Sequence, residues 1–147
     1  MDIRDYEGTI SEAARVLRKG GRFIVIIVHP CFNFLRVLDG KMVSGWDKHI
    51  SENGTKEFLR YWLSDYFRRH SSTFEWKHDR LPSSFVTTGF HRTLSDYINA
   101  IADHGLIVTR LLEPQPLTKG IEFHPAMKKH HMVPFSLGIE ATKPQGN

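Results

Sequence analysis

The sequence predicts an α/β domain, a small sheet with helices packed on it. Three observations lead there. A helical pattern over residues 5–18 runs through Gly20-Gly21 into the fully apolar strand Phe23-Ile24-Val25-Ile26-Ile27-Val28. A second helical pattern over residues 93–104 ends at Gly105 and runs into the β-rich segment Leu106–Leu112. Helix followed at once by strand, twice, is the mark of an α/β arrangement. A last stretch, Met132–Thr142, alternates enough to add a final strand.

The first helix is justified by Ile10, Ala13, Ala14 and Leu17, whose spacing of three and four makes one apolar face. Asp5 is the expected N-cap, and Thr9 with Glu12 offers a second capping start. Arg15, Arg18 and Lys19 complement the negative end of the helix dipole. Gly20 supplies the left-handed residue that closes the helix. The strand Arg22–Val28 has no polar alternation, so it is expected in mid-sheet, buried on both faces. Pro30 forces His29 out of helical geometry and ends the ladder.

Residues 32–54 read as irregular, with turns at Gly40, Gly45, Asn53 and Gly54. Thr55 then reads as the cap of a helix running to about Arg69. Its stripe is Phe58, Leu59, Trp62, Leu63, Tyr66 and Phe67. A short strand is expected near Ser72–Trp76. Thr93 caps the next helix, with Asp96 at the capping-box position and Leu94, Tyr97, Ile98, Ile101 and Ala102 on its apolar face. Glu113-Pro114-Gln115-Pro116 ends the strand that follows, and Lys143–Asn147 is a polar tail.

A chain of 147 residues fits one domain. Hydrophobic content of 40% against 24% charged residues excludes a disordered chain. The longest apolar run, Phe23–Val28, is far short of a membrane span. No secretory segment is visible at the start. The single cysteine, Cys31, cannot form an internal disulfide and points to a reducing, cytoplasmic setting. The formal charge is +4, but basic residues cluster only at Arg68-Arg69-His70 and Lys128-Lys129-His130-His131. That is too sparse for a nucleic-acid stripe. His124, His130 and His131 lack a cysteine partner or tetrahedral spacing, so no metal site is expected.

Several segments, in this order, resemble one family. Met1-Asp2-Ile3 looks like the end of a fourth strand, and Asp5-Tyr6-Glu7-Gly8 through Gly21 like the helix after it. His29-Pro30-Cys31-Phe32 resembles the corner after a fifth strand. Phe90-His91-Arg92-Thr93-Leu94-Ser95-Asp96-Tyr97 resembles the start of the helix before a sixth strand, and Gly105–Pro114 that strand and its exit. The chain is thus similar, over nearly its whole length, to the C-terminal half of class I, Rossmann-like methyltransferases that use S-adenosylmethionine (SAM), of the type 11-like group. The resemblance implies strands five to seven in a mixed sheet with flanking helices, the last strand antiparallel between the other two. It implies one domain over 1–147, with a substrate-cover insertion at about 32–88. The implied reaction is methyl transfer from SAM to a small-molecule acceptor.

The family holds SAM on a glycine-rich loop after strand one, and no Gly-x-Gly occurs in this sequence. The chain alone is therefore expected to bind SAM poorly and to be weak or inactive. Its partner would be a second copy or an N-terminal half. The alternative is a non-catalytic dimerising or accessory module derived from a methyltransferase.

The resemblance also proposes site residues. Asp2, Ile3 and Tyr6 follow strand four and would face the cofactor. Asp2 is otherwise a helix-start acid and Tyr6 a packing residue. His29 would stand at the substrate mouth as general base, since imidazole titrates near neutrality. Otherwise it is a corner histidine bonded to backbone. Trp46, with Trp62, would line the substrate cover or simply pack in the core. His91 would touch substrate or support the helix start.

Overall fold

The computed structural model describes residues 2–32, 37–77 and 83–145. Asp5 opens helix α1 (Tyr6–Val16) by accepting the Gly8 N–H at 2.9 Å. Gly20, at φ +72°, turns the chain into strand β1 (Arg22–Val28). Thr93 and Asp96 form a reciprocal capping box on helix α2 (Leu94–Asp103). Gly105, at φ +74°, ends that helix.

Among the described residues between β1 and α2, three antiparallel strand pairs are formed. A short ladder pairs β2 (Val37–Leu38) with β3 (Lys41–Met42). The second pairs β4 (Ser44–Ile50) with β5 (Lys56–Leu63), and the third β6 (Ser71–Trp76) with β7 (Phe85–Phe90). Strand β8 (Ile107–Leu112) follows α2. Helix α3 (Thr118–Phe123) and a 3-10 helix (Pro125–His131) then lead to β9 (Ser136–Thr142).

The central sheet has the order β1-β9-β8, with β9 antiparallel to both neighbours, so β1 and β8 run parallel. Helices α1 and α2 cover one face. Ile27, Leu137, Ile139 and Ala141 meet Ile10, Ala14, Tyr97, Ala100 and Ile101 there, with Leu106 beneath. This is the mixed α/β sheet with flanking helices that the sequence predicts.

Three expectations are corrected. Strand β1 is an edge strand, and Ile26 is 74% exposed beside Ile27 at 6%. A run of apolar residues carries no facial signal, and both long helices pack on the side of Ile27. The helix expected from Thr55 to Arg69 is instead strand β5 and the turn after it. Phe58, Trp62 and Tyr66 are spaced by four, which satisfies both a helical and a strand repeat. The β-rich Lys56–Leu63 run then pairs with β4, a segment read as irregular. Trp46 stands directly opposite Tyr61, and Gly45 opposite Trp62. A Cβ at Gly45 would come within 3.1 Å of the Trp62 ring, so any side chain there would press on the indole. Finally, Asp2 and Ile3 form no strand. Met1 lies outside the described residues.

Candidate functional site

The carboxyl ends of β1 and β8 flank the start of β9, and each presents a titratable residue there. His29 follows β1. Its N–H extends the ladder to the Phe135 carbonyl at 2.9 Å, and Pro30 then breaks the strand. The side chain is 2% exposed. Its Nδ1 accepts the Cys31 N–H at 3.2 Å, and its Nε2 stands 2.8 Å from Glu113 Oε1. A backbone N–H can only donate, so Nδ1 offers its lone pair and the proton sits on Nε2, donated to Glu113. Glu113 is 56% exposed. The carboxylate is open to solvent and the imidazole is not.

Rings extend from His29 toward the hairpins. Phe32 lies 4.7 Å from His29 and 6.1 Å from Tyr61. Tyr61 packs on Trp46 at 5.3 Å, and Trp46 on Phe58 at 5.5 Å and His130 at 6.0 Å. The Lys129 ammonium lies 5.7 Å from the Trp46 ring and 5.3 Å from Phe58, a cation–π arrangement. Burial and the Lys129 charge push the His130 pKa down. Trp46 is thus placed in the β4–β5 hairpin, joined through Tyr61 and Phe32 to His29.

His91 is joined to the same region by a different route. Its Nε2 donates to the Tyr66 carbonyl at 2.7 Å, and its ring stacks on His70 at 5.0 Å. Burial pushes its pKa down. Tyr66 is the hub. Its hydroxyl accepts the Leu94 N–H at 2.7 Å, at the start of α2, and lies 3.6 Å from Cys31 Sγ. Cys31, in turn, donates its N–H to His29.

Ile3 and Tyr6 form a separate group around Arg92. This guanidinium is 6% exposed and donates to the Ile3 and Arg4 carbonyls at 2.7 Å each. It lies 4.3 Å from the centre of the Tyr6 ring and 5.3 Å from that of Phe90. Burial and the hydrogen bond to Glu7 raise the Tyr6 pKa to about 12, so the phenol stays protonated. Asp2 is exposed, the Ile3 carbonyl is taken by Arg92, and the Tyr6 ring already carries a cation.

Three residues that organise the site carry little signal in the sequence. Glu113 reads as part of a strand-ending Glu-Pro-Gln-Pro turn, Arg92 as a basic residue before a helix, and Tyr66 as one aromatic of a stripe. The cue for Arg92 is its place between Phe90 and the Thr93 cap, where a long cation is held against aromatic walls. Among the described residues, no group of three His, Cys, Asp or Glu side chains could hold a metal ion, and no helix is long and apolar enough to cross a membrane.

No protein-family model and no curated protein matches the chain. Solved structures do. One is a Listeria monocytogenes protein assigned by inference as an SAM-dependent methyltransferase. It superposes with a TM-score of 0.64 at 25% identity, over 94% of this chain and 55% of its own. Another is an SAM-dependent methyltransferase from Mesorhizobium loti, with a TM-score of 0.63 at 20% identity, over 96% of this chain and 57% of its own. The chain spans little more than half the length of either. With β9 antiparallel between the parallel strands β1 and β8, it has the fold of the C-terminal half of a class I, Rossmann-like SAM-dependent methyltransferase.

Proposed function

We propose that this chain is the acceptor-facing part of an SAM-dependent methyltransferase acting on a small molecule, weak or inactive by itself. The observation that carries the reading is the meeting of His29 and Glu113 at the carboxyl ends of two parallel strands, where α/β sheets bind ligands. The β4–β5 hairpin with Trp46 stands as the substrate cover, inside an insertion spanning about residues 32–88. His91 supports it through Tyr66.

Glu113 is the proton acceptor a substrate can reach, and His29 orients it from within the protein. A carboxylate held by a buried imidazole suits an acceptor whose nucleophile must lose a proton. Asp2, Ile3 and Tyr6 complete the cofactor side only when a glycine-rich half is supplied by other polypeptide. The site faces a reducing cytoplasm, in keeping with the single thiol of Cys31.

The test is calorimetric titration of the 147-residue chain with SAM, repeated on a chain extended by any coding sequence upstream of Met1. Binding is expected only in an extended chain that carries a strand followed by a Gly-x-Gly loop. Submicromolar, saturable binding by the 147 residues alone overturns the weak-alone reading. Failure of such an extended chain to bind overturns the methyltransferase reading.

The second reading, a non-catalytic module that dimerises, is favoured by the open face of β1, where Ile24 is 58% and Ile26 74% exposed. A second copy, or an N-terminal half, would cover that face. Light scattering that finds a monomer at every concentration counts against the dimer.

A further inference from the structure

Between β1 and the two long helices lies a cavity of about 80 Å³. A buried water needs only about 10–15 Å³, so this space takes a molecule of a few heavy atoms. Ile27 and Ile101, both buried, form its floor, and Phe23 and Val25 line one wall. Ile3 and Thr9 also line it and are exposed, so it opens to solvent beside the start of α1.

Among the described residues that line the cavity, Arg92 carries the only charge. The guanidinium is 6% exposed, and among the described residues no carboxylate forms an ion pair with it. Asp96 is held by Arg69 and Thr93 instead. Arg92 Nη2 is spent on the Ile3 and Arg4 carbonyls. Its Nη1 is buried and, among the described residues, has no hydrogen-bond partner. The same holds for the hydroxyl of Tyr97, which lines the cavity too and is 5% exposed. Native interiors leave few such groups unpaired, because an unmade buried hydrogen bond is costly.

These two groups select the occupant. Arginine cannot accept a hydrogen bond, so the ligand must offer acceptor atoms. Burial raises the Tyr97 pKa, against the pull of the Arg92 charge, so the phenol stays protonated at neutral pH and can donate. A buried cation with no counter-charge favours an anion. Phosphate and sulfate fit poorly, since their further oxygens would face Phe23 and Val25 without partners.

We propose that this cavity binds a short-chain monocarboxylic acid. The carboxylate takes the spare hydrogens of Arg92 Nη1 and the Tyr97 hydroxyl, and the alkyl end lies against Phe23, Val25 and Ile101. Such binding is independent of methyl transfer, because SAM is far too large for the space and neither His29 nor Glu113 lines it.

Titrate the 147-residue chain with sodium propionate, and separately with propionamide, its neutral isostere, at neutral pH and matched ionic strength. Backbone amide resonances are followed in the absence of SAM. Propionate is expected to saturate with a Kd of about 1–10 mM, within reach of so few heavy atoms, and to shift amides around Val25 and Ile101. Propionamide is expected to bind about fivefold more weakly or worse. Arg92→Met would also free the Ile3 and Arg4 carbonyls, so Tyr97→Phe is the decisive variant. It removes a hydroxyl without a partner among the described residues, and is expected to keep the wild-type melting temperature while weakening propionate about tenfold. Val25→Phe narrows the cavity and is expected to abolish the shifts. Equal binding of propionate and propionamide, full-strength binding to Tyr97→Phe, the same shifts with sodium sulfate, or no saturation with propionate overturns the proposal.

Discussion

His29 Nε2 lies 2.8 Å from Glu113 Oε1, so a side chain 2% exposed at the end of β1 holds one 56% exposed at the end of β8. The bond links two strands that are not neighbours in the sheet, across the start of β9. The two partners should respond unequally to substitution. His29→Ala opens a buried space and strands the Cys31 N–H, a loss of about 1–3 kcal/mol. Glu113→Gln keeps an acceptor oxygen at a partly solvated position and should cost less than about 1 kcal/mol. Urea denaturation of both variants checks the order. A larger loss from Glu113→Gln would make the carboxylate a structural group and remove it as a reachable base.

Ile26 and Ile27 are adjacent in β1 and face opposite worlds, at 74% and 6% exposure. Ile27→Ala should cost about 2–5 kcal/mol, since it opens a cavity under α1 and α2. Ile26→Ala should change stability by about 0.5 kcal/mol or less in the isolated chain. Equal losses, measured by chemical denaturation at a low protein concentration, would mean that the open face is covered in solution.

The elements built from local signals were legible in the sequence. Asp5, Gly20, Thr93, Asp96 and Gly105 act within a few residues of themselves, and α1, β1, α2 and β8 all begin or end where those residues say. What the sequence could not state is which neighbour an apolar surface meets. Phe23–Val28 reads the same whether one face or two are covered. Phe58, Trp62 and Tyr66 fit a helix until Trp46 is placed across from Tyr61. The site divides in the same way. His29 is legible because Pro30 fixes the end of its strand, whereas Glu113 enters the site only through a fold that brings residues 84 positions apart together.

Burial lowers the pKa of both His91 and His130, and this sets a sign for the pH dependence. The unfolded chain takes up protons near the ordinary histidine value of 6.5, while the folded chain resists until lower pH. The unfolded state then binds more protons, so stability falls as pH drops below about 6.5. Asp96 adds to the loss at lower pH. Burial alone would push its pKa up, but the Thr93 hydrogen bonds and Arg69 hold it below the usual carboxylate value, so protonation removes part of the α2 cap. Denaturation midpoints between about pH 5 and about pH 8 should therefore rise with pH. His91→Gln, which removes one of the titrating groups, should flatten the rise. A flat wild-type profile would show that these histidines are not buried as neutral groups.

Lys143 closes the domain from the far end of the chain. Its Nζ donates to the Ala14 carbonyl at 2.6 Å and the Leu17 carbonyl at 2.9 Å, at the C-terminal end of α1. Its backbone pairs in both directions with Gly20 and Gly21 at 2.9 Å. The residue just past β9 thereby supplies a cation to the negative end of the first helix and locks the double-glycine turn. Lys143→Met keeps the methylenes and removes the charge, and should cost about 1–2 kcal/mol. Lys143→Arg keeps the charge but changes the shape of the donor. If the helix dipole alone is at work, arginine restores the whole loss. If the ammonium is needed to reach two carbonyls at once, arginine restores only part, and amide exchange in the last turn of α1 stays faster than in the wild-type chain. The distances favour the second outcome, because both carbonyls are met by one nitrogen within ordinary hydrogen-bond length.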